Sequence, residues 1–256
     1  MPTGTLLNMS ALSSLKTRTR GWLGRANEHS WIVPIERDHW QTEAEFRRRQ
    51  WVTAATIVVG TPLLRKALNQ RPGSRAFYLH TVALASVWGG GAFVSGPLHA
   101  GWSSTRVPDK RARPVIRPIT VGVVAVAGFA AIAAVVAPYA VFRKPMLKVL
   151  DHARFGSLPV VIPLTILTGV GEELFFRGAL YAGTKNPYQI AVTTAAYAAI
   201  TAATGNPMLV LAAGALGALV GIERRTTGGV QGPIVIHMTW STGMLLVLPP
   251  IIEARR

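Results

Sequence analysis

The chain has 256 residues, half of them hydrophobic, with 27 Lys and Arg against 11 Asp and Glu, and no Cys. Without cysteine there are no disulfides, no thiolate metal sites and no cysteine nucleophile, and the compartment stays open. The net charge of +16 would suit a polyanion, but the cations are spread over every loop and both termini instead of one face. Membrane lipids, and not nucleic acid, are therefore the expected partner.

The apolar residues come in long blocks almost free of charge. A bilayer demands this, because an ionised side chain at mid-membrane costs about 2.5–3.5 kcal/mol. The expected fold is all-α, a polytopic transmembrane bundle of about seven spans, with the cell membrane as its location. Residues 1–50 carry Lys16, Arg18, Arg20, Arg25 and Arg47-Arg48-Arg49 among Trp22, Trp31 and Trp40. That mixture reads as a basic interfacial or cytoplasmic segment, with a disordered tail as the alternative. No apolar core with a cleavage site follows, so a removable signal peptide is not expected.

Residues 51–154 read as N-terminal transmembrane helices and basic loops. Trp51 to Leu64 is short for a span and is expected to tilt or to extend into Arg65 and Lys66 by snorkelling. Ala76 to Trp102 is long enough to cross, with Gly89-Gly90-Gly91 and Pro97 as loosening or kinking points. Arg106 to Arg117, with Pro108, Pro114 and Pro118 in or beside it, reads as a non-helical basic linker. Ile119 to Phe142 is the cleanest span, followed by a basic connector holding Arg143, Lys144, Lys148 and Arg154.

Residues 155–250 hold the remaining helices, and 251–256 are a basic tail. Leu158 to Gly183, Pro187 to Thr204, Pro207 to Ile222 and Pro233 to Leu248 are the expected spans, the last three opened by a proline that a first turn tolerates. Gly217 and Gly221 form a GxxxG contact face. Every longer loop is basic, so the positive-inside count gives little contrast for orientation.

Glu172 and Glu173 are the only acids between Asp151 and Glu223. With Arg177 they put three ionisable groups into six positions of an apolar helix, which should face a polar cavity. Glu173 and Arg177 stand four apart with the acid first, the favoured direction for an ion pair. Glu172 points about 100° away around the helix and is the carboxylate free to take a proton from water. The competing reading is a single ion-pair knot that ties helices together. His237 lies in an apolar helix with Ser241 one turn later. Its imidazole suits metal binding, oxyanion stabilisation or holding a water, and on its own it also suits packing.

These motifs resemble the CPBP family of glutamate-dependent intramembrane proteases, which includes type II CAAX prenyl endopeptidases and Abi-type proteins. The family pattern is Glu-Glu-x-x-x-Arg, then aromatic-x-x-x-His, then His-x-x-x-Asn. Glu172-Glu173-Leu174-Phe175-Phe176-Arg177 matches the first motif in full. Tyr197 keeps the aromatic of the second, with Thr201 in place of its histidine. His237 matches the third, with Ser241 in place of its asparagine. Gly205-Asn206-Pro207 and an Arg224 to Gly229 turn follow in the familiar order, so the resemblance spans roughly 155–250.

The resemblance implies a catalytic core in that segment and a membrane-associated peptide or protein substrate, prenylated ones included. It implies a water-activating Glu172, an orienting Glu173 and Arg177, and histidines that bind a divalent metal such as zinc or stabilise the oxyanion. His237 is then the metal-ligand candidate. Catalytic zinc normally has three protein ligands plus water, which Thr201 does not help to supply; His80 and His99, in or near the second span, are residues that could be recruited, with packing or the interface as the favoured reading of each. Thr201 and Ser241 also define the alternative, a catalytically silent binding, scaffold or immunity protein. A transporter using the Glu-Arg group as a relay is disfavoured, since no pair of broken-helix halves is evident.

Overall fold

The computed structural model describes residues 41–104 and 111–253. The expectations for Trp22, Trp31, Trp40 and the terminal basic residues lie outside the described residues. Within them the chain folds into eight α-helices. These are α1 (Glu43–Leu68), α2 (Arg75–Ser95), α3 (Ile116–Val136), α4 (Ala140–Arg154), α5 (Leu158–Glu173), α6 (Gln189–Ala202), α7 (Pro207–Thr227) and α8 (Gln231–Glu253). A π-helical segment, Leu174–Leu180, continues α5. A two-residue antiparallel pair, β1 (Ser103–Ser104) and β2 (Arg111–Ala112), sits between α2 and α3.

Five of the described helices are long and apolar enough to cross a membrane: α2, α3, α5 with its π continuation, α7 and α8. The fold is the expected all-α bundle. Of the about seven spans expected, α1 and α6 form as helices without joining that group; α6 is apolar but has only 14 residues. Exposed Val123, Val124, Ile132 and Val135 give α3 the outward apolar face that lipid requires.

Several boundaries differ from the sequence reading, each for a local reason. α1 begins well before Trp51, because Thr42 and Glu45 close a capping box ahead of the arginine run, and it continues through Arg65 and Lys66, as one of the two expectations had it, to Leu68. Within that arginine run Arg49 is buried and donates to Ser95 Oγ and to the Pro97 carbonyl, while Arg47 and Arg48 stay exposed. α2 stops at Ser95, not Trp102, since Gly96 takes φ +138° ahead of Pro97. Gly91 does not loosen α2 but packs against Thr56 of α1, where a Cβ would collide.

The linker read over Arg106–Arg117 contains β2, and Arg117 already belongs to α3. The span read over Ile119–Phe142 breaks at Pro138, and the basic connector after it is α4. That helix buries Met146, Leu150, His152 and Ala153 while Lys144 and Lys148 stay exposed. It is amphipathic, as an element at the end of the bundle should be. The Arg224–Gly229 turn begins four residues later than read, at Gly228, since α7 runs to Thr227 and is capped by Gly228 in the left-handed conformation.

α1 packs on α2, α3 on α8 and α6 on α7, while α2 and α8 both pack against α5. Gly217 and Gly221 mark the α6–α7 contact, lying against Tyr197, Thr194 and Ile190. An aromatic cluster of Trp88, Phe175, Phe176 and Tyr197 fills the centre. These packings bring the end of α5 to the first half of α8.

Candidate active site

Glu172 and Glu173 end α5, and the π turn that follows carries Arg177. Glu173 and Arg177 have no exposed surface, and Arg177 Nη1 lies 3.3 Å from Glu173 Oε1. The guanidinium also donates from Nη2 to the Gly217 carbonyl at 3.1 Å and sits 5.1 Å from the Tyr197 ring centroid. Carboxylate, carbonyl and aromatic face together hold a buried cation that lipid or an apolar core would reject.

Glu172 turns another way, as its helical offset requires. Tyr197 Oη donates to Glu172 Oε2 at 2.7 Å. His237 bridges the two glutamates: Nδ1 is 2.7 Å from Glu173 Oε1, and Nε2 faces Glu172 Oε2 at 3.9 Å. Gly169 of α5 faces the imidazole, and a Cβ there would meet the ring at 3.4 Å, an ordinary van der Waals contact.

Glu172, Tyr197, His237 and Ser241 all line one cavity of about 610 Å³. The rest of its wall is mainly apolar, running past Phe129, Trp240 and Leu245 to Leu150 and Leu248 near α4. A mostly apolar chamber with a few converging polar groups is the usual form of a small binding site. Glu173 and Arg177 do not line it; they stand behind Glu172 and His237.

Thr201 is buried but spends its hydroxyl on the Tyr197 carbonyl of its own helix, 2.8 Å away. His80 bonds to the Ala76 carbonyl one turn back, and neither it nor His99 lines the cavity. The donors aimed at a metal are therefore Glu172 Oε2 and His237 Nε2, since Nδ1 is committed to Glu173. Among the described residues no group of three or more His, Cys, Asp or Glu side chains is disposed to hold a metal ion. This donor set does not fit a catalytic zinc with three protein ligands.

Two contacts escaped the sequence reading. The Tyr197 hydroxyl was not assigned to Glu172, although an aromatic with a polar tip in an apolar helix is a signal for such a bond. Arg224, read as part of a turn, is buried and donates from Nε to the Arg177 carbonyl at 2.7 Å. Its signal was an arginine only two residues beyond an apolar stretch that ends at Ile222.

The chain is thus a helical bundle of membrane-spanning character with two buried glutamates facing one histidine. The family model described as Rce1-like, type II CAAX prenyl endopeptidase, matches residues 154–243. That match supports the kinship read from the motifs and covers both glutamates and His237. No curated protein and no solved structure matches the chain.

Proposed function

We propose that the chain is an integral endopeptidase of the cell membrane that hydrolyses a peptide bond of a membrane-associated substrate, prenylated substrates included. Glu172 removes a proton from water as the water oxygen bonds to the peptide carbonyl carbon, and the carbonyl π electrons move onto its oxygen. His237, with Nδ1–H donated to Glu173 and a second proton on Nε2, donates to that oxyanion. The intermediate collapses with cleavage of the C–N bond, and the proton held by Glu172 passes to the leaving amine. Tyr197 orients Glu172, while Glu173 and Arg177 orient His237.

The supporting observation is the convergence of Glu172 Oε2, Tyr197 Oη and His237 Nε2 on one largely apolar chamber. Purified protein in liposomes, given a panel of prenylated and transmembrane peptides, should cleave at least one of them, and Glu172→Ala should not. Cleavage that persists in Glu172→Ala removes the proposed base.

A second reading, a binding protein without hydrolysis, is favoured by one observation: Thr201 is bonded back to its own helix and offers the cavity no donor. No cleavage by the native chain, with retained binding of a peptide from the panel, selects it.

A further inference from the structure

The π-helical turn is the least usual element of the fold and sits directly behind the two glutamates. Such i→i+5 turns are rare and cluster at functional sites. In an α-helix the Tyr181 N–H would bond to the Arg177 carbonyl. Here it bonds to Phe176 and Gly178 instead, passing Arg177 over. Arg224 Nε occupies that carbonyl at 2.7 Å, reaching across from the last turn of α7. Its guanidinium lies 4.8 Å from the Tyr181 ring centroid, and the side chain is buried.

A cation in the last turn of a helix ordinarily complements that helix's own dipole from the surface. Arg224 instead serves a neighbouring helix, at the backbone of the residue whose side chain pairs with Glu173. The line of contacts is continuous: Arg224 to the Arg177 carbonyl, Arg177 Nη1 to Glu173 Oε1, and the same oxygen to His237 Nδ1.

We propose that Arg224 is a positioning residue that holds residues 174–180 in the π register, and through it sets the Arg177, Glu173 and His237 geometry. A buried carbonyl left without a donor would favour the ordinary α register, which rotates Arg177 relative to Glu173. The proposal deepens the hydrolytic reading and rests on it only for kinetics.

The test uses the histidine-labelled 256-residue chain in micelles, following the chemical shifts of the His237 ring by NMR at fixed pH and the hydrogen exchange of residues 174–182. Arg224→Ala should speed that exchange about tenfold and move the His237 ring shifts. Arg224→Lys, which keeps a donor without the planar fork, should fall between the two. Arg117→Ala, which breaks the neighbouring 2.7 Å pair with Glu223, controls for general loosening and should match the native protein in both readouts. Native-like behaviour of Arg224→Ala, or equal changes in Arg117→Ala, overturns the proposal. If Arg224→Ala does not fold, Arg224→Lys decides, and native values in both readouts count against the role. On a cleavable peptide, kcat should fall with KM unchanged. Failure of the native chain to cleave anything would remove the hydrolase reading and leave the two spectroscopic outcomes standing.

Discussion

His237 presents Nδ1 to Glu173 Oε1 at 2.7 Å, an oxygen that also takes Arg177 Nη1 at 3.3 Å. Glu173 therefore neutralises a fully buried guanidinium and fixes an imidazole at once. Removing one partner of a buried pair leaves the other charge uncompensated, at about 3–5 kcal/mol. Glu173→Gln should lower the thermal midpoint in micelles clearly more than Glu172→Gln, whose amide oxygen still accepts from Tyr197. Equal shifts would mean that Glu173 does not hold Arg177.

Tyr197→Phe isolates one hydrogen bond, because the ring keeps its packing 4.8 Å from the Phe176 centroid. A bond to a charged acceptor contributes about 1.5–3 kcal/mol. Cleavage should fall about 10–100-fold in kcat at unchanged KM. A rise in KM instead would assign the hydroxyl to substrate.

The sequence disclosed the parts of this site that depend on one helix. Spacing predicted the Glu173–Arg177 pair and the separate direction of Glu172, because i and i+4 are neighbours on an α-helix, and the pair forms although Arg177 stands in a π turn. It did not disclose that Tyr197 caps Glu172 or that Arg224 holds the Arg177 carbonyl, since both contacts join helices far apart in the chain. The π turn was equally hidden, as its register is a tertiary choice made on an unremarkable apolar run. α4 was misread as a connector because Arg143, Lys144, Lys148 and Arg154 were taken for a basic loop. Only the burial of Met146, Leu150 and His152 against the bundle marks it as an element that closes one end.

The donor set bears on metal dependence. Glu172 Oε2 and His237 Nε2 are the two donors aimed at a common point, and Thr201 supplies no third. Cleavage should therefore survive prolonged chelation, and metal analysis of the active protein should find zinc well below one per chain. Loss of activity on chelation, restored by zinc, would show a third ligand that the described residues do not supply.

His152 makes stability depend on pH at the α4 end, outside the candidate spans. Burial lowers its pKa below 6.5, outweighing the Leu68 carbonyl and Asp151, which raise it, while Lys148 adds to the lowering. The ring stacks on Phe77 with centroids 4.1 Å apart. The folded protein thus holds His152 neutral where the unfolded chain takes up a proton, so its contribution is complete above the unfolded value near 6.5. That contribution declines as pH falls below this value toward the lower folded one. Unfolding midpoints measured from about pH 7.5 to about pH 5 should fall, and His152→Phe, which keeps a ring against Phe77, should flatten the slope. An undiminished slope in that variant would assign the pH dependence to another group.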